Sequence, residues 1–162
     1  MMLTPKFRIL VVEDDDHKLK SVFGLIRESF PETEIVVARS LTSAVQTCEK
    51  EKIDFAIVDM SLPTYDFSID KAGGGKPQSL GGTEVLRFME AIELSAPAVV
   101  LTQHGEFPNN RGSKVTFQTL AADLSEEFGS WLLGTIFYSG QTGAWRRELT
   151  DLIKKHLESN PK

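Results

Sequence analysis

Short unbroken apolar runs alternate along this chain with stripes of helical spacing. Residues 7–12 (FRILVV) form a β-branched and aliphatic run too short for a helix, the mark of a strand buried on both faces of a parallel sheet. Four consecutive acids follow, Glu13, Asp14, Asp15 and Asp16. Leu19, Val22, Phe23, Ile26 and Phe30 then recur at helical spacing until Pro31. Residues 35–38 read as a second strand, and Leu41, Ala44, Val45 and Cys48 as a second helical stripe. Residues 53–58 (IDFAIV) are a third buried strand, and it too closes on an acid, Asp59.

The second half keeps this alternation but stretches it. Residues 61–82 hold Pro63, Pro77 and glycines 73, 74, 75, 81 and 82, which predicts a long loop. A short helix over 83–92 follows, with Val85, Leu86, Met89 and Ile92 inward. Residues 98–101 (AVVL) predict a fourth strand ending at Thr102, and 103–114 a second long loop. Phe117, Leu120, Ala121, Leu124 and Phe128 make a helical stripe, 131–138 a fifth strand, and Trp145, Leu149, Leu152, Ile153 and His156 a last helix. The pattern predicts one α/β domain over 1–162: a doubly wound sheet of five parallel strands with helices on both faces.

Composition narrows the function classes. Hydrophobic residues are 41% and charged ones 25%, ordinary globular usage, which excludes wholesale disorder. A net charge of −5 argues against nucleic acid or an anionic membrane surface as partner. No apolar run approaches the roughly 20 residues of a membrane span, and no secretory signal opens the chain. The single cysteine, Cys48, excludes an internal disulfide and fits a reducing compartment, so a cytoplasmic protein is expected.

Ligands of open α/β sheets bind outside the carboxyl ends of the strands. Those ends carry Glu13 and Asp14, then Asp59, then Thr102. Converging carboxylates repel unless a hard cation joins them, and Mg²⁺ takes oxygen ligands. Asp59 is the best-placed nucleophile, able to accept a phosphoryl group as an acyl phosphate, with the Thr102 hydroxyl donating to a phosphoryl oxygen. Asp15 and Asp16 read instead as helix N-cap and solvated surface.

These residues resemble the receiver domains of two-component response regulators. Residues 9–15 (ILVVEDD) look like that family's first strand and acidic pair, and 53–63 (IDFAIVDMSLP) like its phosphoacceptor strand with the trailing proline. The resemblance implies a flavodoxin-like (CheY-like) fold and Mg²⁺ held by Glu13, Asp14, Asp59 and the backbone carbonyl of Ser61. It implies Asp59 as phosphoacceptor and Thr102 as switch hydroxyl. It further implies a stand-alone phosphorelay protein without independent enzymatic turnover. Its partner would be a histidine kinase or phosphotransfer protein, with 117–157 as an output or homodimer face. On that face Phe117, Phe128 and Phe137 are expected in the core, and Tyr138 or Trp145 partly exposed.

Three departures mark an atypical member. The family's lysine at the end of the fifth strand is missing, since no Lys or Arg stands between Trp131 and Trp145. Losing a charge-assisted hydrogen bond costs roughly 10- to 100-fold in an equilibrium or rate. Gln103 replaces the small residue expected after the switch hydroxyl, and the loop after Asp59 is long. Lys71, Lys76, Arg111 and Lys114 on the two loops are candidate substitutes for the lysine, or simply solvated charges. The missing lysine also leaves open a receiver-fold interaction module that works without phosphorylation. A haloacid-dehalogenase-like phosphatase using Asp14 and Asp16 is a further alternative, lacking that family's distal acidic pair. Gly73 to Lys76 lacks the spacing of a phosphate loop, and the three histidines lack metal-ligand spacing. His104 stands near enough to Thr102 to reach the strand-end site.

Overall fold

The computed structural model describes residues 6–65, 80–108, 113–140 and 143–159. The first half comprises β1 (Arg8–Val12), α1 (Asp16–Ser29), β2 (Glu34–Ala38), α2 (Leu41–Lys50) and β3 (Phe55–Val58). The second comprises α3 (Gly81–Ala91), β4 (Ala98–Thr102), β5 (Glu106–Pro108), β6 (Lys114–Thr116), α4 (Phe117–Phe128), β7 (Leu132–Phe137) and α5 (Ala144–Ser159). Five strands make one sheet in the order β2-β1-β3-β4-β7, every neighbouring pair parallel. This is the doubly wound fold the alternating pattern predicts, with the strand order reversing between β1 and β3.

The continuous apolar runs bury both faces of the three central strands. Leu10, Val12, Ala56, Val58, Ala98 and Val100 pack under α2, α3 and α4. Ile9, Val11, Phe55, Ile57, Val99 and Leu101 pack under α1 and α5. Helix starts follow local chemistry: the Asp15 side chain accepts from the Lys18 N–H to cap α1, and Ser40 with Ser43 forms a capping box for α2. Gly129, at φ 76°, ends α4 in the left-handed region that suits glycine. Among the described residues, no helix is long and apolar enough to cross a membrane.

Several details differ from the pattern-based expectation. The 103–114 segment is not all loop: β5 and β6 pair antiparallel, with Phe107 opposite Val115, and Phe107 is buried in the core under α4. Strands this short carry one apolar residue each at their centre, too little for a period-2 signal. In α1, Leu25 takes the inward position, while Phe23 is 38% exposed beneath the Arg27 guanidinium. The aromatics of the last strand also exchange roles. Tyr138 and Trp145 are both buried, their rings 4.8 Å apart, whereas Phe137 is 44% exposed. Phe128 is buried as expected, and half-buried Phe117 meets Phe137 edge-on. The cause is a register shift beside Ala98 and Val99, which pair with Leu132 and Gly134 and leave Leu133 between them. Beyond it, Ile136 and Tyr138 face α5, and Phe137 lies on the other face, against Phe117 of α4.

The N-terminus of α3 locks onto the chain just after β3. Gly82 donates its N–H to the Met60 carbonyl at 2.9 Å, and a Cβ at Gly82 would overlap the Asp59 carbonyl oxygen and the Met60 side chain. Backbone must therefore shift to admit any side chain. Gly82→Ala is expected to cost about 1–3 kcal/mol in thermal or denaturant unfolding.

Candidate functional site

The parallel register decides which side chains meet. Val12 stands beside Val58, so the next residue on each strand, Glu13 and Asp59, emerges at the same sheet end. The Asp59 N–H donates to the Val12 carbonyl, and the Glu13 N–H to the Ala38 carbonyl, which pins both backbones. Both carboxylates are buried, at 3% and 4% exposure. Two buried like charges on neighbouring strands need a compensating cation.

That cation is Lys18, in the first turn of α1. Its Nζ lies 2.7 Å from Glu13 Oε2 and 3.0 Å from Asp59 Oδ1, and donates to the Leu101 carbonyl at 2.6 Å. An ammonium has three donors, and here each has an acceptor. Its remaining side approaches the Tyr138 ring, 5.7 Å from the centroid, at the end of β7. The Lys18 side chain is 1% exposed, so these interactions act with little solvent screening.

Glu13 serves as the holder of this cation. Its Oε1 accepts from the Asp15 N–H at 3.0 Å while Oε2 binds Lys18. Burial pushes the Glu13 carboxyl up to about 7; the Lys18 ammonium opposes the rise and Asp59 adds to it. On Asp59, Oδ1 also accepts from the Met60 N–H at 2.9 Å. Thr102 is fully buried, its Oγ1 accepting from the His104 N–H at 3.3 Å and its carbonyl from the Tyr138 N–H.

The other expected residues lie around this cluster. Asp14 is exposed, and Ser61 is half-buried two residues past Asp59. Asp15 caps α1, as its sequence position suggests, and Asp16 is drawn outward to Arg39 at 2.6 Å. Asp14 and Asp16 are both exposed, with Asp16 engaged by Arg39. The His104 ring meets Phe107 edge-on, with 6.0 Å between centroids. Lys114 is exposed and paired with Glu106 at 3.4 Å, while Lys71, Lys76 and Arg111 lie outside the described residues. Among the described residues, no three His, Cys, Asp or Glu side chains group as a metal centre. Of the residues expected to hold Mg²⁺, Glu13 and Asp59 are paired with Lys18, Asp14 is exposed and Ser61 is half-buried. An open cleft of about 410 Å³ runs alongside, lined by His17, Ser21, Tyr138, Ser139, Trp145 and Arg146 among others.

Lys18 was missed by sequence reasoning, although a signal existed. It stands four residues before Val22 and seven before Leu25, on the inward stripe of α1, where a lysine is out of place unless paired.

The charge arrangement predicts opposite signs for two substitutions. Lys18→Met strands two buried carboxylates and should destabilise the fold by about 3–5 kcal/mol. Asp59→Asn removes one of two acids sharing a single ammonium, and should raise the melting temperature. Glu13 adds a pH dependence. Its folded-state value lies above the ordinary 4.5, so the folded protein keeps a proton that the unfolded chain has lost. This contribution is full below 4.5 and is lost as pH rises through about 7. Metal-free melts should therefore show stability falling between about pH 5 and pH 7, and Glu13→Gln should flatten that slope.

No protein-family model matches the chain. It is 26% identical over 152 residues to the Detocs response regulatory protein DtcB of Enterobacter cloacae (strain JD6301), covering 93% of this chain and 99% of that protein. Among solved structures, it resembles a CheY-like response regulator receiver domain from Methanospirillum hungatei JF-1. That likeness has a TM-score of 0.64 at 20% identity and covers 96% of each chain. It also resembles the receiver domain of a sensor histidine kinase from Pseudomonas aeruginosa PAO1, solved with magnesium in its active-site cleft. There the TM-score is 0.57 at 17% identity, over 95% of this chain and 99% of that one. The chain has the receiver fold along nearly its whole length and resembles the receiver-domain response regulators of signal transduction.

Proposed function

We propose that this protein is a phosphoacceptor receiver, with Asp59 as the residue that is phosphorylated. The observation that carries this reading is the buried Asp59 carboxylate at a strand end, 3.0 Å from a buried ammonium. A carboxylate oxygen attacks the phosphorus of a phosphohistidine or a small acyl phosphate. The bond from phosphorus to the donor breaks and the donor keeps the electron pair, leaving as a carboxylate from an acyl phosphate or as a histidine that regains its ring proton, and Asp59 becomes an acyl phosphate. Asp14, Asp59 and the Ser61 carbonyl are the donors for Mg²⁺. When bound, the cation supplies charge shielding for the phosphoryl oxygens. The Thr102 hydroxyl, at the end of the adjacent strand, donates to one of them.

The phosphodonor on this reading is a histidine kinase or phosphotransfer protein and the target a second protein, in keeping with the resemblance to a response regulatory protein. Output by contact with that protein uses the edge formed by α4 and β7. Phe137 and Leu133 are exposed there, on the outermost strand of the sheet. Trp145, buried against Tyr138, is not part of that surface. The interaction-only alternative took its ground from a missing cation. A buried ammonium beside Asp59 weighs in favour of the phosphoacceptor.

Incubation with acetyl phosphate and Mg²⁺ should add one phosphoryl group by intact mass, labile to hydroxylamine and absent in Asp59→Asn. An unmodified wild-type chain contradicts the reading. Phe137→Ser should weaken self-association or partner binding while leaving phosphorylation of Asp59 unchanged.

A further inference from the structure

We infer that Lys18 is the residue that receives a phosphoryl oxygen on Asp59, so that the anion-binding cation of this site is delivered by α1 instead of by the last strand. The inference rests on the phosphoacceptor reading above. It starts from a gap and a filler. The end of β7 runs Phe137, Tyr138, Ser139, Gly140, with no cationic side chain. Lys18 brings its ammonium to that same place, 5.7 Å from the Tyr138 ring, while bonding Asp59 on β3 and the Leu101 carbonyl on β4.

Three features suit Lys18 to this work. Among the described residues, the ion pair to Asp59 comes from Lys18, whereas Arg39 is spent on Asp16, Lys114 on Glu106, and Arg8 on Glu34 and Glu51. Its ammonium is buried, so its attraction for an added anionic oxygen is weakly screened. Finally, it is held in place before any ligand arrives. The Lys18 N–H donates to the Asp15 side chain, the Asp15 N–H donates to Glu13, and Glu13 binds the Lys18 ammonium, a closed ring of contacts. Such preorganisation spares the ordering cost that a lysine on a loop would incur.

The placement has a consequence for signalling. Lys18 belongs to α1 and also holds the carbonyl of Leu101, the residue before Thr102. A phosphoryl group that draws the ammonium toward itself therefore pulls on α1 and on the end of β4. The Tyr138 ring stands 5.7 Å from this ammonium and Trp145 packs against Tyr138, so Trp145 reports on its movement through that ring.

The test is beryllofluoride titration with Mg²⁺, followed by Trp145 fluorescence in a Trp131→Phe background, alongside intact-mass phosphorylation by acetyl phosphate. Lys18→Gln should weaken beryllofluoride binding roughly 10- to 100-fold, and Lys18→Arg should retain part of it. If Lys18→Gln does not fold, Glu13→Gln/Lys18→Gln, which leaves one buried carboxylate instead of two, is compared with Glu13→Gln alone and should show the same loss. A wild type that binds beryllofluoride and is phosphorylated, with lysine-free variants that match their parents, overturns the role of Lys18 alone. A wild type that takes neither group overturns the phosphoacceptor reading, and the role of Lys18 with it.

Discussion

A single buried ammonium organises this molecule. The parallel register of β1 and β3 forces Glu13 and Asp59 to the same sheet end, where both are buried. Two uncompensated carboxylates there would carry a desolvation penalty of several kcal/mol each, as well as mutual repulsion. Lys18 offsets this with one donor for each acid and a third for a β4 carbonyl, tying three strand ends to α1. Its position is set by the cap: Asp15 starts α1 by accepting from the Lys18 N–H, which fixes the turn from which the side chain reaches inward.

The same contacts give the site its asymmetry. Glu13 has one oxygen on Lys18 and the other on the Asp15 amide, which makes it a support for the cation. Asp14, next to it, is exposed, the disposition of a residue that meets a ligand arriving from solvent. Asp59 shares the Lys18 ammonium with Glu13. The buried charge that faces Asp59 thus comes from the first helix, not from the last strand.

The strands and their acids were legible because a parallel sheet buried on both faces demands unbroken apolar runs, and the acids stand directly after them. The parallel, doubly wound character of the sheet followed from the alternation with helices. Lys18 escaped because a search for the missing cation naturally turns to the end of the last strand and its neighbouring loops. A buried pair contributed from a helix is visible only as a lysine on an apolar stripe, beside Leu19 and in line with Val22 and Leu25. The exchanged exposure of Phe137 and Tyr138 was illegible for a different reason. A one-residue slip at Leu133 flips every following side chain, and nothing in the local sequence announces it. The ribbon of β5 and β6 escaped because its strands are three residues each, held largely by Phe107 reaching into a core built by distant elements.

The most direct test of the role given to Lys18 is a crystal structure of the wild-type protein with Mg²⁺ and beryllofluoride. The account predicts the beryllofluoride on Asp59, with Lys18 Nζ within about 3 Å of one fluorine and Glu13 still bonded to the ammonium. A beryllofluoride group contacted by a lysine or arginine from another segment, with Lys18 left on Glu13 and the Leu101 carbonyl, would contradict it.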